Sequence, residues 1–116
     1  MGADVILEIA NHFGGLPWLV IIQVKNYTGE LGSSVLKQLK TAYDHYSKEG
    51  RVLQLVVMTT ADEPSKSYIK GAKSLENELK IPVTAILKKQ MMELLSEGLL
   101  QRLSQPENGR APTLET

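Results

Sequence analysis

Apolar and polar positions divide this chain into short blocks of distinct period. Val5 to Ala10 is a mostly aliphatic run and Trp18 to Asn26 a more strongly apolar one; their β-rich composition predicts two strands. Between them, Asn11-His12-Phe13-Gly14-Gly15-Leu16-Pro17 carries turn chemistry, so the two strands are expected to form an antiparallel hairpin. A turn centred on Gly14-Gly15 would set Asp4 directly across from Lys25. Tyr27 to Gly32 lacks apolar periodicity and reads as a loop. Ser33 or Ser34 can then cap a helix whose buried stripe is Val35, Leu36, Leu39, Ala42, Tyr43 and Tyr46, with Gly50 as its stop.

The second half alternates. Arg51 to Thr60 contains Val52-Leu53-Gln54-Leu55-Val56-Val57-Met58, too short and too rich in β-branched residues for a good helix, and is expected to be a central strand. Glu63-Pro64 resembles an N-cap with proline in the first helical position, and Tyr68, Ala72, Leu75 and Leu79 form the stripe of a second helix. Pro82 to Leu87 is a short strand. From Lys88 to about Leu103, the positions Met91, Met92, Leu95, Leu99 and Leu103 mark a third helix that tolerates Gly98. The order β-β-α-β-α-β-α predicts an α/β domain over 1–104 with a mixed sheet flanked by helices. Residues 105–116, with two prolines and a glycine, are expected to be a flexible C-terminal tail. The chain enters its first strand almost at once, as a fragment or a trimmed protein would.

Composition narrows the chemistry. The chain has 116 residues, enough for one domain, and 42% hydrophobic against 22% charged residues marks an ordinary folded protein rather than a disordered one. Lys plus Arg and Asp plus Glu number 13 each, so the zero net charge leaves contact with nucleic acid to local patches. With no cysteine, disulfides, thiolate nucleophiles and cysteine-held metals are excluded. No apolar run approaches the roughly 20 residues needed to span a bilayer, and no signal-peptide pattern opens the chain, so a cytoplasmic protein with no membrane partner is expected. Neither a Gly-x-Ser-x-Gly elbow nor a phosphate-cradling P-loop is present. His12 and His45 lack partners at metal-ligand spacing and read as surface residues.

The candidate chemistry lies at the end of the second strand. Gln23 and Lys25 are two residues apart and therefore share a face, and Asp4 opens the preceding strand. A carboxylate from Asp4, the amide oxygen of Gln23 and the backbone carbonyl of Val24 are hard oxygen donors that suit Mg²⁺, with Mn²⁺ as a substitute. Lys25 could then orient or deprotonate a water and stabilise charge on a phosphate. Glu8 shares the parity of Asp4 and could extend the acidic site. Lys66, Lys70 and Lys73 share a face of the second helix, as Lys37 and Lys40 do on the first, and could track a DNA backbone. Tyr27 and Glu30, just beyond Lys25, could line a groove. The plainer alternatives are a cross-strand ion pair between Asp4 and Lys25, worth about 0–1 kcal/mol if exposed, and solvated helix faces for the lysines.

The segment Gly2-Ala3-Asp4-Val5-Ile6-Leu7, a hairpin, and then Val20-Ile21-Ile22-Gln23-Val24-Lys25 resembles the PD-(D/E)XK nuclease superfamily, in particular its Mrr-like restriction endonuclease domains, whose second ligand is commonly Gln. The resemblance continues through the loop and helix after Lys25, the strand ending in Met58-Thr59-Thr60, the Pro64 helix, the strand within Ile81 to Leu87 and the leucine-rich helix from Met91 to Leu100. It covers roughly residues 2 to 100. It implies a restriction-endonuclease-like fold and a Mg²⁺-dependent DNA endonuclease, with Asp4 and Gln23 as metal ligands and Lys25 as the catalytic lysine. The family core begins with a helix, often bearing a glutamate, and a strand ahead of the Asp, and this chain lacks both. The sheet edge they would cover is expected to meet a partner segment or a second copy in a homodimer. Two other functions stay open: a non-catalytic nuclease-fold module for dimerisation or nucleic-acid binding, and a structure-specific nuclease such as a junction resolvase.

Overall fold

Strand β2, Trp18–Lys25, is the axis on which the rest of the protein is assembled. In the computed structural model, which describes the backbone of residues 5–104 and the side chains of residues 5–98, β2 pairs antiparallel with β1 (Val5–Ile9) and parallel with β4 (Arg51–Thr59). The parallel strand β6 (Val83–Ile86) completes a four-stranded mixed sheet of order β1-β2-β4-β6. Helices α1 (Ser34–Tyr46) and α2 (Lys66–Leu79) are the crossovers from β2 to β4 and from β4 to β6, and α3 (Lys88–Ser104) closes the described chain. This is the expected α/β architecture. A right-handed crossover puts its helix on a fixed side, and two successive ones running the same way put both helices on the same side. The core accordingly lies between one sheet face, here called inner, and α1 and α2. It contains Leu19, Ile21, Val52, Leu55, Val57 and Val83 from the sheet and Val35, Leu36, Leu39, Ala42, Tyr68, Ala72 and Leu75 from the helices.

Several local expectations are corrected. The hairpin register is two residues from the predicted one: Val5 pairs with Ile22 and Ile9 with Trp18, where a Gly14-Gly15 centre would have set Val5 against Val24. Asn11 explains the shift. Its Oδ1 accepts from Phe13 N at 3.1 Å and its carbonyl accepts from Gly14 N at 3.1 Å, so an Asx turn starts the reversal one residue earlier than the glycine pair alone would. Because the shift is two and not one, every side chain keeps its face.

Neither serine caps α1 as the sequence suggests. Ser33 occupies the N-cap position without a side-chain cap, and the Ser34 hydroxyl lies 3.3 Å from the Tyr27 hydroxyl. Helix α1 ends at Tyr46 with Ser47 as its C-cap, so Gly50 is not its stop; a Cβ there would lie 2.7 Å from the Pro17 carbonyl oxygen, and close packing requires the glycine. Helix α2 is capped by Ser65, whose hydroxyl accepts from Tyr68 N at 3.1 Å, and not by Glu63. Glu63 and Pro64 instead form β5 (Glu63–Pro64), a two-residue strand parallel to β3 (Glu30–Leu31) inside the stretch read as loop.

A bulge also escapes pattern reading. Leu19 pairs with Val52 but Val20 pairs with Gln54, which leaves Leu53 as an extra residue in β4. The extra residue resets the alternation. Val52 and Leu55 thereby both reach the inner face, followed by Val57 and Thr59, beside Leu19, Ile21, Gln23 and Lys25 of β2. Among the described residues no helix is long and apolar enough to cross a membrane.

Candidate functional site

The inner face changes character at the carboxyl ends of the parallel strands. Ile21 beside Leu55 is wholly apolar, Gln23 beside Val57 introduces an amide, and Lys25 stands beside Thr59. Gln23 is 4% exposed and Thr59 1%, so two polar residues are built into the last layers of the core. Lys25, two residues further along, is half-buried where the core meets solvent. At about 3.3 Å per residue, the Gln23 and Lys25 backbones are about 7 Å apart on one face, within reach of a common ligand. The crevice beyond the carboxyl ends of parallel strands is where open α/β sheets commonly bind ligands.

Two threonines after β4 hold this end in place. Thr59 Oγ1 accepts from Ala61 N at 3.1 Å, which satisfies the buried hydroxyl and turns the chain. Thr60 clamps the loop after Lys25: its Oγ1 accepts from Tyr27 N at 3.0 Å and lies 2.7 Å from Asn26 Oδ1 and 2.9 Å from the Tyr27 carbonyl oxygen. Three backbone bonds continue the seam, from Thr60 N to the Lys25 carbonyl, Asp62 N to the Gly29 carbonyl and Ser65 N to the Leu31 carbonyl. The loops after β2 and β4 are therefore stitched together from Lys25 to Leu31 on one side and from Thr60 to Ser65 on the other. Sequence reasoning missed Asn26 and Thr60 as site-shaping residues. Their signal is present in short polar side chains placed immediately after strands, the residue types that bond nearby backbone.

The other predicted residues fall in different places. Asp4 lies outside the described residues. Glu8 pairs with Leu19 and is exposed. It shares the inner-face parity of Gln23 but stands four strand positions away, about 13 Å at strand rise. Lys66, Lys70 and Lys73 are exposed on α2, opposite the buried Tyr68, Ala72 and Leu75. Lys37 is exposed, whereas Lys40 joins Asp44 at 3.3 Å and Glu78 at 3.5 Å and so bridges α1 to α2. Hydrogen bonding to Asp44 and the charges of Asp44 and Glu78 raise the Lys40 pKa above its usual value. Tyr27 is half-buried against the core, and Glu30 is exposed in β3. His12 is exposed in the hairpin loop, and His45 is a surface residue 3.7 Å from Glu49.

Of the donors expected for a divalent cation, the described residues supply the Gln23 side chain and the Val24 carbonyl. Both are neutral oxygens, which Mg²⁺ accepts alongside a carboxylate. Among the described residues no three His, Asp or Glu side chains converge into a metal-holding group. A ligand at this end would meet the half-buried Lys25 first, with the buried Gln23 amide behind it. Compared with known proteins, the chain matches no family model, no curated protein and no solved structure.

Proposed function

We propose that this chain is a nuclease domain of the Mrr-like restriction type, hydrolysing DNA phosphodiester bonds in the cytoplasm with Mg²⁺ or Mn²⁺. One observation carries the reading: Lys25 lies beside Thr59 on the inner face, two residues past the buried Gln23. A neutral oxygen and an ammonium thus share a rigid strand end next to the Thr59-Thr60 turn, the element that the family resemblance also contains. Asp4, the Gln23 oxygen and the Val24 carbonyl would hold the cation, which supplies a Lewis acid and an acidified water. Lys25 orients that water and offsets the negative charge growing on the phosphate. The Thr60 clamp limits the motion of the strand end that bears Lys25, which favours positioning. Lys66, Lys70 and Lys73 add attraction to the DNA backbone that carries no sequence information.

Cleavage of supercoiled plasmid in Mg²⁺ or Mn²⁺ tests the proposal. Lys25→Ala should lose about 10²- to 10⁴-fold in rate, with unchanged circular dichroism and unfolding midpoint. Cation-dependent cleavage that is indifferent to Lys25→Ala would overturn the assignment. So would a chain that cleaves none of linear, branched and methylated DNA; if the backbone amide signals of Gln23 to Lys25 also ignore added Mg²⁺, the non-catalytic module is the better reading. Preference for branched over linear substrates would make the enzyme a junction-type nuclease with the same chemistry.

A further inference from the structure

Both crossover helices cover the inner face, so among the described elements the topology leaves the opposite, outer face of the sheet to α3 alone. The hairpin register assigns that face: Val5, Leu7 and Ile9 of β1 stand beside Ile22, Val20 and Trp18 of β2, followed along β2 by Val24. Val5, Leu7, Ile9 and Val24 remain 39 to 51% exposed, although a sheet residue packed on by a second layer is nearly inaccessible. On the same outer side, α3 begins beside the Met58–Ile86 end of the sheet. Ile86, Asp62 and the first turns of α3 border an open groove of about 1010 Å³. Met92 borders the same groove, and it and Leu95, one turn apart and so on one face of α3, stand in solvent at 58 and 73% exposure. One chain therefore displays two apolar surfaces on one side, a flat strand patch and a helix ridge, that do not cover each other.

We infer that these surfaces meet between two copies of the chain, in a two-fold dimer where α3 of each copy lies on the β1–β2 outer face of the other. Reciprocity follows from symmetry, since a two-fold axis that brings ridge to patch once brings them together twice. The area is sufficient: Val5, Leu7, Ile9, Val24, Met92 and Leu95 leave roughly 550 Å² of surface exposed per copy, or roughly 1,100 Å² per dimer before their neighbours are added, above the roughly 1,000 Å² that a specific interface should clear. A sheet-on-sheet dimer confined to the strands would bury the strand patch but leave Met92 and Leu95 in water. The reciprocal arrangement buries both. The inference is independent of nuclease chemistry, because Lys25 and Gln23 occupy the other face.

Sedimentation velocity of the full chain from about 1 to 100 µM reads the outcome. A dimer mass across the upper part of this range is expected. Leu7→Glu and Leu95→Glu, both at exposed positions, should each weaken dimerisation by on the order of 100-fold by burying an unpaired carboxylate, with monomer folding checked by circular dichroism and urea titration. Ile69→Glu, at a half-exposed position on α2 on the helix side, should leave the dimer intact. A monomeric unaltered chain at 100 µM would overturn the inference and assign the face to a different occupant. A dimer that dissociates with Leu7→Glu but not with Leu95→Glu would also overturn it, in favour of sheet-on-sheet packing.

Discussion

Gly50→Ala isolates a single close approach on which the parallel pairing of β2 and β4 depends. Gly50 is buried, and its neighbours leave no room: an added Cβ would lie 2.7 Å from the Pro17 carbonyl oxygen, 2.8 Å from Leu19 Cγ and 2.9 Å from Leu19 Cδ1. The Leu19 side chain is 3% exposed and packed on all sides, and the Pro17 oxygen is backbone that accepts from Arg51 N at 2.8 Å. None of these atoms can withdraw without moving the start of β2 or breaking the first bond that sets it against β4. Backbone conformation is not the constraint, since Gly50 does not adopt a positive φ. Without the contact, Gly→Ala would stabilise by about 0.4–1 kcal/mol through the unfolded chain. Overpacking of this kind costs about 1–3 kcal/mol, so the sign reverses and the net effect should be a loss of about 1–2 kcal/mol. Gly32→Ala is the control, because a Cβ there meets nothing within 4 Å. Urea unfolding of both variants gives the answer from the midpoints, the slope serving as a check on two-state behaviour. If Gly50→Ala is as stable as Gly32→Ala, the packing argument for this glycine fails, along with the claim that it anchors the β2–β4 register.

Thr60→Val removes the clamp on Asn26 and Tyr27 while keeping the side-chain shape, and should cost about 1–2 kcal/mol in urea unfolding and increase amide exchange at Tyr27; unchanged exchange would show that the seam holds without it. Tyr68 has a buried hydroxyl without a hydrogen-bond partner among the described residues, and burial, with the Glu76 charge second, pushes its pKa up to about 12 from 10.0. The unfolded chain releases this proton near pH 10 and the folded chain only near 12, so stability is whole below pH 10 and falls between the two values, by about 2–3 kcal/mol at most. Tyr68→Phe should flatten that alkaline loss and be neutral or stabilising at pH 7, and an unaltered urea-midpoint slope between pH 9.5 and 11.5 would refute the assignment. Lys40→Met should lower the urea midpoint at low salt, with the difference closing in 1 M NaCl as screening removes its pairs to Asp44 and Glu78. Because its pKa is raised, the Lys40 contribution is full below pH 10.5 and disappears as the pH rises through the folded value.

Much of the architecture was legible because hydrophobic period and length speak directly to element type. The stripes Val35, Leu36, Leu39, Ala42 and Tyr68, Ala72, Leu75 are buried on α1 and α2 as the 3.6-residue period predicts, and the strands at Trp18, Arg51 and Val83 stand within a residue or two of their expected bounds. Punctuation was harder. Gly50 and Glu63-Pro64 each carried a familiar local signal, yet tertiary contacts gave them other work: a close approach to Pro17 for the first, a two-residue strand against Glu30-Leu31 for the second. The Leu53 bulge could not be read from period alone, since a buried strand apolar on both faces offers no alternation to interrupt.

For the candidate site, residue spacing by itself determined that Gln23 and Lys25 share a face, because a strand alternates sides every residue whatever surrounds it. It also determined the α/β order and a helix on each crossover. Tertiary structure decided the rest: that this face is the inner one, that Gln23 sits in the core with Val57 beside it, and that Thr60 ties the end of β2 to the end of β4. It decided too that Glu8 stands far along the strand and that the outer face of β1 and β2 stays exposed. The reason is physical. Period and propensity are local and repeat along the chain, whereas register, crossover side and burial depend on which distant residues compete for the same space, as Asn11 does for the turn and Pro17 for the room beside Gly50.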